Sequence, residues 1–275
     1  MDKVQNGWKI CTLSLEVLKS NKTLIVFPLI SCLALFIIIS SFVFGFGFIT
    51  DWHFERLNDP AHAFTRYLFT FLIYLISYTV AIFFNIALMH CVKLYFEDKA
   101  VSLSIGIKYS ISRLGYIISW AAFAATVGLI LKIIQDNVGK LGKILVGLLG
   151  IAWGISTFFV VPIVAYEDKS PWNALKESVN MMKKLWGESL TAEFSFGIMK
   201  LCAIVVFLIV AFLVAIVNIY AGIGLFILGM VLTFSVFSAL NSIFISAIYT
   251  KVSSDINVKQ FSDTTIADLF TTKKK

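Results

Sequence analysis

Charge is scarce in this chain, and so is almost everything that metal or redox chemistry would need. Only 14% of its 275 residues are Asp, Glu, Lys or Arg, while 59% are hydrophobic and the mean hydropathy is +0.90. An ordinary soluble domain carries about 25% charged residues, so this one lacks the polar surface to cover a water-exposed globule. The four cysteines, Cys11, Cys32, Cys91 and Cys202, show no CxxC or Cys/His spacing, so neither a disulfide framework nor a structural zinc site is expected. No Ser/His/Asp set, Walker motif or dinucleotide fingerprint is present. The glycines of "GIGLFILG" at 222–229 follow no strand, precede no Lys-Ser/Thr pair and run on into apolar sequence; they read as close-packing positions in a membrane helix rather than a phosphate loop. Acidic residues and arginine are also missing from the middle of every apolar run. Proton-coupled or voltage-driven transport normally requires one there.

What is abundant is long uncharged sequence. The first run, Leu24 to Thr50, has no charge for 27 residues. A signal-peptide core spans roughly 7 to 15 residues and is followed by a small-residue cleavage site, so the run is expected to be a retained span. Six segments satisfy the length and apolarity of a membrane helix: Leu24 to Ile49, Tyr67 to Cys91, Leu114 to Leu131, Ile144 to Tyr166, Leu201 to Val217 with a helical lead-in, and Gly222 to Tyr249. The fold class is therefore an all-α polytopic membrane bundle of about six transmembrane helices. Lys200 shortens the fifth span; a lysine at mid-bilayer costs about 3 kcal/mol, so its side chain is expected near the membrane surface.

Orientation follows from the basic residues. Eighteen Lys and Arg fall on the side of both termini and five on the other: Arg56, Arg66, Lys132, Lys140 and Lys143. The positive-inside rule then places both termini of this multi-pass chain in the cytoplasm. The net charge of +7 is explained by basic islands facing anionic lipid and calls for no nucleic acid.

Between spans four and five, "SPWNALKESVNMMKKLWGE" has Ser170 as N-cap, Pro171 at the first helical position and Gly187 beyond the end. Trp172, Leu175, Val179, Met182, Leu185 and Trp186 recur at spacings of three and four, and Lys176, Glu177, Asn180, Lys183 and Lys184 fill the rest. This predicts an amphipathic helix in the interface plane, with Trp172, Lys176, Lys183, Lys184 and Trp186 contacting the lipid surface. "GWKICTLSLEVLKSNK" near the N-terminus is a looser version, with Trp8, Cys11, Leu15 and Leu18 on one stripe. A third candidate, "VSLSIGIKYSIS", alternates with period two as a strand does; helix is nonetheless expected, because a lone strand beside a bilayer leaves its backbone groups unpaired. The chain thus divides into one membrane domain, 1–275, of three surface-helix-plus-hairpin repeats at about 5–95, 98–168 and 169–252, followed by a basic cytoplasmic tail, 253–275.

"WGISTFFVVPIVAYEDKSPWNALKESVNMMKKLWGE" at 153–188, with "LEVLKSNKTLIVFPLIS" and "FFNIALMHCVKLYFED" upstream, resembles a family of uncharacterised prokaryotic integral membrane proteins. The resemblance implies six inner-membrane helices with cytoplasmic amphipathic segments, and carries no activity and no catalytic residue.

The tripeptide Glu-Asp-Lys occurs twice behind an apolar run, at 97–99 and 167–169. Adjacent carboxylates diverge by about 100° on a helix, so both copies read as solvated exits from the membrane rather than as acid/base or metal pairs. His53 and His62 share a loop with Asp51, Glu55 and Asp59, the one place where a metal set is imaginable; polar loops hold such residues without metal, and no metal or other cofactor is expected. Within the spans, Pro28 and Pro162 each leave a carbonyl without its partner one turn back, at Leu24 and Phe158. Asn85 and Asn241 place amides in spans two and six, and "GIAWG" at 150–154 allows close helix approach. The expected function is non-enzymatic: a membrane scaffold or subunit that meets anionic headgroups, other membrane proteins or further copies of itself. The second reading is an oligomeric channel or permease for a small solute, built on the prolines and buried amides.

Overall fold

The computed structural model describes residues 2–50, 52–53, 63–184 and 186–253. These are helical almost throughout, with no strand among the described residues. In chain order the helices are α1 (Asp2–Ser20), a 3-10 turn (Lys22–Ile25), α2 (Val26–Ile49), α3 (Ala63–Phe96), α4 (Leu103–Ser112), α5 (Leu114–Asn137), α6 (Lys140–Ser156), α7 (Val160–Tyr166), α8 (Pro171–Lys184), α9 (Trp186–Val217) and α10 (Ile219–Ser253). Six segments are long and apolar enough to cross a membrane: Lys22–Phe48, Ala63–Phe96, Leu114–Asn137, Lys140–Tyr166, Ser195–Val217 and Ile219–Thr250. Between 6% and 28% of each apolar window is buried by the protein. The remaining apolar surface needs lipid to cover it, and the chain is an integral membrane bundle. The basic tail, 254–275, lies outside the described residues.

The ambiguous segment before span three is a helix, α4. The alternating pattern does not report what holds it: Ser102 Oγ accepts the N–H of Ile105 at the helix start, and Ser110 is fully buried, its hydroxyl donating to the Phe83 carbonyl of α3 at 2.8 Å. The buried Ser110 hydroxyl does here what an apolar side chain does in an ordinary amphipathic helix.

The helices fall into two compact units. The first comprises residues 1–32, 87–107 and 183–275. In it α1 packs on α9 and α10 through Ile10, Cys11, Ser14, Val17 and Leu18, all buried, while Trp8 is exposed. Of the stripe expected from Trp8, Cys11, Leu15 and Leu18, Cys11 and Leu18 are buried, Leu15 is half-buried and Trp8 is exposed, while Ile10, Ser14 and Val17 complete the packed face. Burial also pushes the Cys11 thiol up to about 11. Along α10, Gly222 and Gly229 make room for α9: a Cβ at either would fall within 2.5 Å of Ala215 or Phe207. Gly150 and Gly154 of α6 are different, since a Cβ at either would meet nothing within 4 Å.

The second unit comprises residues 33–86 and 108–182. Here α5 packs on α6 and α7, and Trp120 stacks on Trp153 with ring centroids 6.1 Å apart and planes 5° from parallel. Span four is not one helix. It breaks at residues 157–159 between α6 and α7, where Thr157 Oγ1 turns back to the Trp153 carbonyl at 2.9 Å. Pro162 is the third residue after the break, so its missing N–H falls among the first-turn groups that have no helical partner anyway. Pro28 holds the same third position in α2, behind the 3-10 turn.

Candidate functional site

The polar chemistry of the second unit gathers where α7 ends. A helix leaves its last carbonyls without intrahelical donors, and here two side chains from α4 and its exit supply them. Tyr109 donates its hydroxyl to the Ala165 carbonyl at 2.6 Å. Arg113, between α4 and α5, donates from Nε and Nη2 to the Val164 carbonyl at 3.2 and 2.9 Å, and from Nη2 to the Glu167 carbonyl at 2.5 Å. Its Nη1 pairs with the Asp168 carboxylate at 2.5 Å, and the guanidinium lies 4.2 Å from the centroid of the Tyr116 ring. One planar fork therefore meets two carbonyls, one carboxylate and an aromatic face, a set that the point charge of a lysine cannot match.

The hydrogen bond from Arg113, with its positive charge, holds the Asp168 carboxyl below the usual carboxylate value. Burial raises the Tyr109 phenol. Lys169 bridges Glu167 at 2.6 Å and Glu177 of α8 at 3.4 Å, and the hydrogen bond to Glu167 raises its ammonium. The second Glu-Asp-Lys is thus a clasp joining α4, α7 and α8. The first copy ends its helix differently. Asp98 takes a left-handed φ of 54°, with Asp98 N–H on the Tyr95 carbonyl and Lys99 N–H on the Leu94 carbonyl. That pair of bonds is a Schellman ending, and Glu97 pairs with Lys99 at 2.6 Å.

Below the clasp, α8 is fastened by one face and exposed on another. Ala174, Ser178, Met181 and Met182 are buried. Ser178 Oγ accepts the backbone N–H of Phe159 at 3.0 Å, both groups buried, which satisfies a donor orphaned by the break in span four. Trp172 is 55% exposed, with Lys176 Nζ 5.4 Å from its ring centroid and its own ring edge-on to Phe123. Lys183 and Lys184 are exposed. The side chains of Leu185 and Trp186 lie outside the described residues.

In the first unit, α9 and α10 enclose a cavity of about 160 Å³ lined by Phe196, Gly197, Lys200, Phe234, Phe237, Ser238 and Asn241. Lys200 Nζ sits 4.8 Å from the centroid of Phe234. Of the two buried-amide candidates, Asn241 belongs to this cavity; Asn85, half-buried on α3, does not line it. His53 is exposed, while Asp51, Glu55, Asp59 and His62 lie outside the described residues. Among the described residues no three His, Cys, Asp or Glu come together as metal ligands.

Residues 64–258, well over half of the chain, match a family of unknown function, DUF6159. The chain belongs to that family. The matched region begins within α3 and takes in every residue of the clasp, of α8 and of the α9–α10 cavity. No curated protein matches the chain in sequence.

Within this DUF6159 protein, sequence reasoning had no role for Arg113, Tyr109 or Ser178. One signal was available for the first. Arg113 is the one arginine among the basic residues on the side of the termini, where every other is lysine. A planar fork serves several acceptors at once, which the point charge of lysine does not.

Proposed function

We propose that this protein is a non-enzymatic scaffold of the cell (inner) membrane, with both termini in the cytoplasm and α8 as its presenting element. The observation that carries the reading is the mounting of α8. Its Ala174, Ser178 and Met181 face is committed to the bundle, whereas Trp172 and Lys176 stand outward as a cation–aromatic pair and Lys183 and Lys184 extend the basic edge. A helix held this way exposes an aromatic anchor and positive charge at the depth where anionic headgroups, or a partner's acidic segment, are met. The three short helices α1, α4 and α8, each preceding a pair of spans, fit a threefold repeat of this device. Replacing Lys176, Lys183 and Lys184 with Glu is expected to weaken association with anionic lipid or with a crosslinked partner, while the helical core stays intact by circular dichroism. Unchanged association would sink the scaffold reading.

A second reading, an oligomeric channel or permease for a small solute, is favoured by the α9–α10 cavity with its lysine and amide. Solute flux into proteoliposomes that disappears when Asn85 and Asn241 are both changed to Ala would favour it over the scaffold.

A further inference from the structure

The α9–α10 cavity combines features that neither a packing defect nor a plain helix interface requires. Lys200 is the one charged residue of its span, and among the described residues it has no ion-pair partner; its ammonium rests on the Phe234 ring. Asn241 and Ser238 from α10 add an amide and a hydroxyl to the same lining, and Phe196 and Phe237 supply its apolar walls. Gly197, one turn before Lys200, lines the open side of the cavity, where a Cβ would meet nothing within 4 Å.

Depth identifies the chemistry. The stretch from Lys200 to Val217 is about 25 Å long as a helix, against a hydrocarbon thickness of about 30 Å. Tyr220, 83% exposed just beyond the α9–α10 turn, marks the far interface as membrane tyrosines do. Lys200 therefore lies close to the opposite hydrocarbon boundary, where phosphodiesters sit. Further along α9, Leu201, Val205 and Leu208 are all exposed, an apolar surface on which acyl chains below a headgroup can lie. A free inorganic anion would engage the lysine and leave that surface unused.

We propose that the cavity formed by Lys200, Asn241, Ser238 and Phe234 is a docking site for the phosphodiester headgroup of an anionic phospholipid in the leaflet on the side of the chain termini. The lysine supplies the countercharge, the amide and hydroxyl donate to phosphate or headgroup oxygens, and Phe234 holds the ammonium when the site is empty of lipid. This rests on the membrane-scaffold reading above but uses none of the α8 residues.

The test is native mass spectrometry of the full chain released from nanodiscs of phosphatidylcholine mixed with phosphatidylglycerol, counting retained lipid. The wild type is expected to keep phosphatidylglycerol selectively. Lys200→Met should lower that retention by about tenfold, as expected for loss of a charge-assisted hydrogen bond, and Lys200→Arg should restore much of it. Gly197→Leu fills the open side without touching the charge and should lower retention equally, which covers the case in which Lys200→Met misfolds. The Lys176, Lys183 and Lys184 to Glu variant should retain the lipid as wild type does. Equal retention by the wild type, Lys200→Met and Gly197→Leu overturns the site. Loss confined to the α8 variant also overturns it, while leaving the scaffold reading standing. Displacement of the lipid by inorganic phosphate, with the same dependence on Lys200, would show that the site takes a free anion and would overturn the lipid assignment.

Discussion

Arg113 and Asp168, fifty-five positions apart in the chain, meet at 2.5 Å, yet the two ends of the pair stand in different surroundings. The guanidinium side chain is 14% exposed and the carboxylate 73%. The same arginine serves the Val164 and Glu167 carbonyls from its more buried edge. The ion pair at the exposed end contributes little, as surface pairs do, and the carbonyl bonds contribute most. Arg113→Ala is expected to cost about 2–3 kcal/mol because it leaves part-buried carbonyls without donors. Arg113→Lys should recover only part of this, and Asp168→Asn should lower stability least. Thermal unfolding of the three variants in detergent gives the order; a loss for Asp168→Asn as large as that for Arg113→Ala would overturn the assignment.

The same pair sets an acid limit. Because Arg113 holds the Asp168 carboxyl below its ordinary value of 3.8, the stabilisation is fully present above that value and is lost as pH falls through the depressed one. The difference in melting temperature between wild type and Asp168→Asn should therefore be constant from neutral pH to about 5 and shrink only below about 4. A difference that vanished near pH 6 would mean that another group is titrating.

Ser178→Ala removes the acceptor of the Phe159 N–H and should destabilise by about 1–3 kcal/mol, the range for orphaning a buried donor. The effect should also be local: Trp172, edge-on to Phe123, is expected to change fluorescence in this variant before the bundle melts. Coincident transitions would count against local detachment of α8.

Gly106→Ala should destabilise although alanine is the better helix former. The added Cβ would fall 2.6 Å from the Phe27 ring and 2.9 Å from the Ala87 carbonyl oxygen. The ring can turn but the backbone oxygen cannot, so a loss of about 1–3 kcal/mol is expected. A melting temperature at or above wild type would show that α4 is free to shift.

Asp98 occupies a left-handed φ that costs most L-residues about 1–2 kcal/mol. Asp98→Gly should leave stability unchanged or raise it, and Asp98→Val should lower it by about that cost. A neutral valine variant would argue against the left-handed ending.

The spans were legible in the sequence because membrane helices are specified by length and apolarity alone. Leu114, Tyr166 and Val217 mark the same span boundaries in sequence and structure. The packed faces of the short helices were not legible. Periodicity grouped Met182 with Trp172 on one apolar stripe of α8, but the helix docks through Ala174 and Ser178 and leaves Trp172 exposed. Close approach and one hydrogen bond decide that contact, and neither is reported by apolar spacing. In α4, the buried face includes Ser110, whose hydroxyl satisfies a carbonyl of α3, a contact that apolar spacing does not report. Nor did the repeated Glu-Asp-Lys reveal that one copy ends in a left-handed turn and the other in an arginine's grip. That difference is set by a residue more than fifty positions away.

The bond between Ser178 and Phe159 fastens α8 to the broken end of span four. The serine is a latch on the broken end of span four, and lifting α8 from its seat strips a buried N–H of its only acceptor described at the break. One hydrogen bond thus ties α8 to the start of α7, and the Arg113 bonds tie the end of α7 to the start of span three. The exposed Trp172 and Lys176 therefore stand on a helix anchored to a break in a membrane span rather than on a loose surface strip.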